Sequence, residues 1–122
     1  MTAPELSAAL RACFHARPLL VTALEVDLQD GVALALGGLA LPFTREATLD
    51  GRSRIDFLVG RTGIEVKTGG SLSDLTRQLH RYAASTLLDG LVVVSPLHRH
   101  RALPAELRGK PIAVCDLSGL RL

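Results

Sequence analysis

The sequence predicts an α/β domain in which helices flank a mixed β-sheet. Three observations lead there. Leu6, Ala9, Leu10 and Cys13 recur at helical spacing near the start. Two strand-like runs, Thr44 to Leu49 and Ser53 to Val59, are joined by Asp50-Gly51-Arg52, a hairpin signal. A strand-helix-strand unit follows, from Ile64 to Thr68, Ser71 to about Leu88, and Leu91 to Ser95. At 122 residues the chain reads as one domain, residues 1–122, long enough to bury a real core.

Taken in order, Pro4 to Ala16 reads as a helix, with Pro4 suited to a first turn and Pro18 beyond its end. Leu19 to Leu28 is apolar and β-branched, and Asp30-Gly31 signals a turn into a partner strand, Val32 to Leu36. These two runs form an expected N-terminal hairpin. In the next hairpin, a three-residue loop with Gly51 left-handed would pair Leu49 with Ser53, Thr48 with Arg54 and Glu46 with Asp56. Thr44, Glu46, Thr48, Arg54 and Asp56 then share a polar face. Ala47, Leu49, Ile55, Phe57 and Val59 gather on the apolar one, and one residue more in the loop would part Glu46 from Asp56.

Gly60 to Gly63 turns the chain into the next strand, and Ser71-Leu72-Ser73-Asp74 opens the following helix. Leu72, Leu75, Leu79, Tyr82 and Ala83 make its inner stripe, with Arg77 and Arg81 outside it. Leu91 to Ser95 has the unbroken apolar character of a strand buried on both faces. A short helix around Ala102 to Leu107 and a last strand, Ile112 to Asp116, complete the chain.

Hydrophobic residues make up 48% and charged residues 21%, ordinary for a globular chain. No run is long and apolar enough to span a bilayer, and no signal peptide is visible. Cys13 and Cys115 match no metal spacing and read as reduced core residues of an intracellular, cytoplasmic protein. A formal net charge of +2 does not by itself announce a nucleic-acid binder. Lys67 and Lys110 are the only lysines among 14 basic residues, so arginine, suited to bidentate phosphate contacts, supplies the other 12.

The stretch from Gly51 to Tyr82 carries the chemistry. Asp56 stands between Ile55 and Phe57, and Glu65 and Lys67 flank Val66. Charges inside short apolar runs are costly to bury unless paired or bound to a metal. Residues two apart on a strand share a face, so Glu65 and Lys67 project together. Two carboxylates beside a lysine point to a metal site with a positioned cation; a cross-strand ion pair of Asp56 with Lys67 is the plainer alternative.

IDFLV followed by IEVK resembles the motif of the PD-(D/E)XK nuclease superfamily, with Asp56, Glu65 and Lys67 on its three signature positions. KTGG followed by Gln78 to Tyr82 is similar to the RecB-type branch, which carries QxxxY on the helix after the ExK strand. The resemblance covers roughly residues 43 to 95, and Ile55 stands where the family name has proline. It implies a restriction-endonuclease-like αβββαβ core, here with the extra N-terminal hairpin and a C-terminal helix-strand addition.

On this reading Asp56 and Glu65 hold Mg²⁺ or Mn²⁺, with the Val66 carbonyl as a third ligand. Lys67 acts on the attacking water or the developing charge. Gln78 holds a phosphate or a catalytic carboxylate, and Tyr82 stacks on a base or hydrogen-bonds beside it; alternatively Tyr82 is a core aromatic with a wet hydroxyl. Glu46 is the candidate third acid and Glu5 its rival. Arg52, Arg54, Arg77 and Arg81 are the phosphate-binding candidates. His98-Arg99-His100-Arg101 reads as an exposed turn.

The expected activity is that of a small metal-dependent deoxyribonuclease acting on DNA. It would work as a homodimer or beside a partner protein, with Leu34 to Phe43 and Leu117 to Leu122 too apolar to face water throughout. The alternative is an inactive nuclease-fold module that binds DNA or a protein.

Overall fold

The computed structural model describes residues 1–120. In chain order they form helix α1 (Ala3–Ala16), helix α2 (Glu25–Gly38), strands β1 (Thr44–Thr48), β2 (Arg54–Val59) and β3 (Thr62–Val66), helix α3 (Leu72–Ala83), and strands β4 (Gly90–Ser95), β5 (Glu106–Leu107) and β6 (Lys110–Asp116). The strands make one six-stranded sheet in the order β1-β2-β3-β4-β6-β5. Pairing is antiparallel from β1 to β3, parallel from β3 through β4 to β6, and antiparallel again between β5 and β6. The fold is α/β, a mixed sheet flanked by three helices. Among the described residues no helix is long and apolar enough to cross a membrane.

Helix α1 starts on a capping box, in which Thr2 and Glu5 satisfy each other's main-chain N–H. It buries Leu6, Leu10 and Phe14. With α2 it covers one face of the sheet, over Phe57, Ile64, Val66, Val92, Val94 and Cys115. Helix α3 covers the other face, over Ala47, Leu49, Ile55, Leu91 and Val93. Both cysteines are free thiols, and Cys115 is fully buried.

The expected N-terminal hairpin is absent, and α2 occupies most of its length. Leu28, Val32, Ala35 and Leu36 recur at helical spacing and are buried. Glu25 and Asp27 sit in the first turn, where carboxylates suit the helix dipole. Asp30 is no turn residue: it pairs with Arg45 at 2.8 Å. Gly31 lets the helices approach, because a Cβ there would come within 3.2 Å of the Phe14 ring.

The hairpin β1–β2 closes with the expected register. Gly51 is left-handed (φ +77°), Leu49 N–H donates to Ser53 O at 2.8 Å, and Thr48 lies opposite Arg54. Its apolar residues, however, do not share one face. Ala47, Leu49 and Ile55 pack under α3, whereas Phe57 joins the cluster under α1 and α2, with Val59 against it. The switch falls where Glu46 adopts a left-handed conformation (φ +54°), between the Ala47–Ile55 and Arg45–Phe57 pairs. That twist turns the outer half of the hairpin over.

Smaller differences have local causes. Strand β3 begins at Thr62, because the turn after Val59 is tight, with Gly60 left-handed (φ +58°). Helix α3 stops at Ala83 rather than Leu88. There the Asp50 carboxylate accepts from Ser85 Oγ (2.6 Å), Thr86 N (3.0 Å) and Thr86 Oγ1 (2.8 Å).

In place of the expected helix around Ala102 to Leu107 stand a 3₁₀ turn, His98–Ala102, and β5. Arg108 and Gly109, both at positive φ, make a two-residue hairpin turn from β5 into β6. Of the segments expected to be too apolar for water, Leu36 and Leu117 are core residues, while Leu34 is 59% exposed. The final two residues of Leu117 to Leu122 lie outside the described residues.

Candidate active site

Asp56, Glu65, Lys67, Gln78 and Tyr82 come together at one end of β2 and β3, under α3. The pairing of β2 with β3 runs from Val59–Thr62 to Phe57–Ile64, and there the ladder stops. Beyond it the two carboxylates take over from main-chain carbonyls. Val66 N–H donates to Asp56 Oδ2 at 2.8 Å, and Asp56 N–H donates to Glu65 Oε1 at 3.4 Å. The main chain of Lys67 turns the other way, onto Val94 O of β4 at 3.0 Å.

The remaining oxygen of Glu65 faces a chain of donors. Lys67 Nζ stands 3.5 Å from Glu65 Oε2. Gln78 Nε2 donates to the Tyr82 hydroxyl at 2.8 Å, one helical turn away. That hydroxyl lies 3.0 Å from Arg54 O and 3.4 Å from Glu65 Oε2, with one proton to give between them. Tyr82 is buried in the α3 cluster, so its ring cannot stack on a base, and its hydroxyl is bound rather than wet. Gln78 thus orients the Tyr82 hydroxyl, which stands beside the Glu65 carboxylate.

Burial and crowding set the charges. Glu65 is 4% exposed, and burial, reinforced by the Asp56 charge, pushes its pKa up to about 8 against the pull of Lys67. Asp56 is raised by burial too, with the Val66 N–H opposing and the Glu25 charge adding to the rise. Tyr82 is lifted above its ordinary range by burial and by Glu65, so it remains a neutral donor. A pair of carboxyls held this way requires a proton or a cation at neutral pH.

The third-acid candidates come out differently. Glu46 is exposed and left-handed on β1. Glu5 is engaged in the α1 cap. The carboxylate whose charge reaches Asp56 is Glu25, at the start of α2. Its signal lay in the helical spacing of the apolar residues that follow it, where a hairpin was expected. Among the described residues no three His, Cys, Asp or Glu side chains are grouped to hold a metal.

Arg52, Arg54, Arg77 and Arg81 are all exposed, and Arg77 pairs with Asp74 on its own helix. His100 departs from the expected exposed turn. It is fully buried, with Nδ1 2.7 Å from Ser95 Oγ and Nε2 3.4 Å from Gly70 O. Arg99 donates to the same Gly70 carbonyl at 2.9 Å. The two residues tie down the loop between Lys67 and Ser71, whose hydroxyl caps α3. Burial lowers the pKa of His100, so the neutral ring, donating from Nε2 and accepting at Nδ1, suits both contacts.

Comparison of the chain with protein-family models, with curated proteins and with solved structures finds no match.

Proposed function

We propose that the chain is a metal-dependent nuclease of the PD-(D/E)XK type, hydrolysing phosphodiester bonds in DNA. The observation that carries this reading is the Asp56–Glu65 pair at the parting of β2 and β3, with Lys67 3.5 Å from Glu65. The succession of α2, three antiparallel strands, α3 and a parallel strand supports it, being the αβββαβ order that the resemblance implies.

The donor set fits Mg²⁺ or Mn²⁺. Asp56 and Glu65 are hard oxygen donors whose raised pKa values mark unmet negative charge, and the Val66 carbonyl would be the third ligand. When bound, the metal supplies an activated water and charge neutralisation at the scissile phosphate. Lys67 contributes a fixed positive charge beside Glu65 for the charge that develops in the transition state. Tyr82, oriented by Gln78, offers its hydroxyl beside the Glu65 carboxylate and helps to position it. Arg52, Arg54 and Arg81 offer exposed guanidinium groups to the DNA backbone.

Pairing with a second copy or a partner through the exposed Leu34 region would widen the footprint of the site on DNA. DNA as substrate goes with an intracellular setting. The test is nicking of plasmid and single-stranded DNA with Mg²⁺ or Mn²⁺ and its loss in Asp56→Ala. Absence of cleavage under any divalent metal would leave the inactive, DNA- or protein-binding module.

A further inference from the structure

We infer that His100 is a positioning residue, which sets both groups facing the outer oxygen of Glu65 by holding the Gly70 carbonyl; this rests on the nuclease reading and adds a residue to its machinery. The two groups are Lys67 and Tyr82, whose Nζ and hydroxyl lie 3.5 Å and 3.4 Å from Glu65 Oε2. In the chain they stand on either side of the link Thr68-Gly69-Gly70-Ser71. Gly69 and Gly70 are exposed, and a Cβ at either would meet nothing within 4 Å. Gly70 is also left-handed (φ +86°). Two glycines in the open have the most backbone freedom to lose, so this link needs a tether to hold one conformation.

The tether acts on one atom. Gly70 O accepts from Arg99 Nε at 2.9 Å and lies 3.4 Å from His100 Nε2, which occupies both lone pairs of the carbonyl. A carbonyl only accepts, so Nε2 must carry the proton, and Nδ1 of the neutral ring must accept. Its partner is Ser95 Oγ, 2.7 Å away, which in turn accepts from Leu97 N–H at 3.0 Å. The hydrogen bonds therefore run in one direction, from Leu97 through Ser95 and the ring to Gly70. Burial and the charges of Arg99 and Lys67 all oppose a second proton on the ring.

The other end of the tether is rigid. Ser95 closes β4, which is buried along its whole length and paired in parallel with β3 and β6. Its carbonyl accepts from Leu117 N–H at 2.9 Å. Ahead of the link, Lys67 N–H is held by Val94 O of the same strand. Behind it, Ser71 caps α3 through Asp74 N–H at 3.1 Å, and α3 carries Gln78 and Tyr82. A shift at Gly70 is passed to Lys67 on one side and to the start of α3 on the other. Misplacing such groups by about 1 Å can cost roughly a hundredfold in rate. A histidine that only filled the core could give way to any side chain of similar volume, whereas this one must present an N–H at Nε2.

Two variants of the full chain divide the tether. His100→Gln places an amide N–H near the Nε2 position and keeps the donor to Gly70 O, while His100→Asn keeps only an acceptor for Ser95. Both should lower the thermal midpoint by similar amounts. His100→Asn should slow single-turnover cleavage of plasmid DNA with Mn²⁺ by roughly tenfold to a hundredfold at unchanged DNA affinity. It should also quicken hydrogen exchange at the Asp74 and Leu75 amides, which bond to Ser71. His100→Gln should stay close to the wild type in both respects. Nitrogen-15 spectra of the wild-type ring, which need no variant to fold, should show the neutral Nε2–H form at neutral pH. A ring protonated at Nδ1, or equal losses in the two variants, overturns the inference. Cleavage untouched by His100→Asn overturns it too and spares the nuclease reading. Exchange that quickens with Asn and not with Gln, in a protein that cuts DNA under no metal, keeps the tether and overturns the nuclease reading.

Discussion

The Asp56 carboxylate takes the main-chain N–H of Val66 at 2.8 Å, so a side chain stands where a strand carbonyl would otherwise pair. Asp56 is thus both a candidate ligand and a structural partner, and two variants separate the roles. Asp56→Asn keeps an acceptor for Val66 and removes a carboxylate whose charge is disfavoured there. It should abolish cleavage at little cost in stability. Asp56→Ala should also abolish cleavage but cost about 1–3 kcal/mol, the penalty of an unsatisfied buried N–H. Urea unfolding of both, alongside plasmid nicking, checks this.

Replacing Lys67 with Met keeps the stem and removes the ammonium beside Glu65. Turnover should fall by roughly 10²–10³, typical for deleting one preorganised electrostatic group. Above pH 8, where Glu65 is ionised, Mn²⁺ affinity should hold or tighten, because a competing cation has gone. DNA affinity should change little. Single-turnover cleavage and calorimetric Mn²⁺ titration give the two halves of the answer.

Stability without metal should fall as pH rises. Glu65 has a pKa of about 8 in the folded chain against 4.5 as its ordinary value. Between those limits the folded state holds a proton that the unfolded state has lost, so each rise in pH favours unfolding. The contribution is complete near pH 4.5 and gone above pH 8, and the raised Asp56 works in the same direction. Midpoints in EDTA should drop across this range, and Glu65→Gln should flatten much of the slope. Metal binding near pH 7 should release a proton.

Glu46→Gly should retain full activity and gain up to about 1 kcal/mol, because glycine adopts the left-handed conformation without strain. Glu25→Gln should instead relieve the repulsion on Asp56 and weaken Mn²⁺ binding if Glu25 completes the ligand set. Mn²⁺ titrations of the two variants distinguish the third-acid candidates.

Gly63 in β3 is a packing glycine. An added Cβ would collide with Ile55 Cδ1 and come within 3.0 Å of Leu91 Cδ2. Gly63→Ala should cost about 1–3 kcal/mol through overpacking. Adding Ile55→Val, which removes the colliding methyl, should restore part of that, as chemical denaturation would show.

Legibility in the sequence followed the range of the forces involved. The loop at Gly51 and the neighbourhood of Asp56, Glu65, Lys67, Gln78 and Tyr82 depend on turn chemistry and on strand and helix periods, all local. Helix α2 was obscured because Asp30-Gly31 has the composition of a turn, and only the Phe14 ring across from Gly31 explains that glycine. With the helix went Glu25. Phe57 changed sides because of the conformation of Glu46, which no alternation of residue types reveals. His100 looked like one more solvated residue in a basic run, and its partners Ser95 and Gly70 are brought to it only by the tertiary fold.

The left-handed Glu46 has a consequence for association. Strand β1 is one border of the sheet, and borders present open rows of N–H and C=O groups to which a foreign strand can add. Glu46 interrupts that row in mid-strand. The β1 margin therefore offers no straight template for edge-to-edge growth. The twist beside the carboxylate pair should thus also disfavour strand addition at that border. A β-branched residue at position 46, by favouring an extended backbone there, would straighten the margin and expose it.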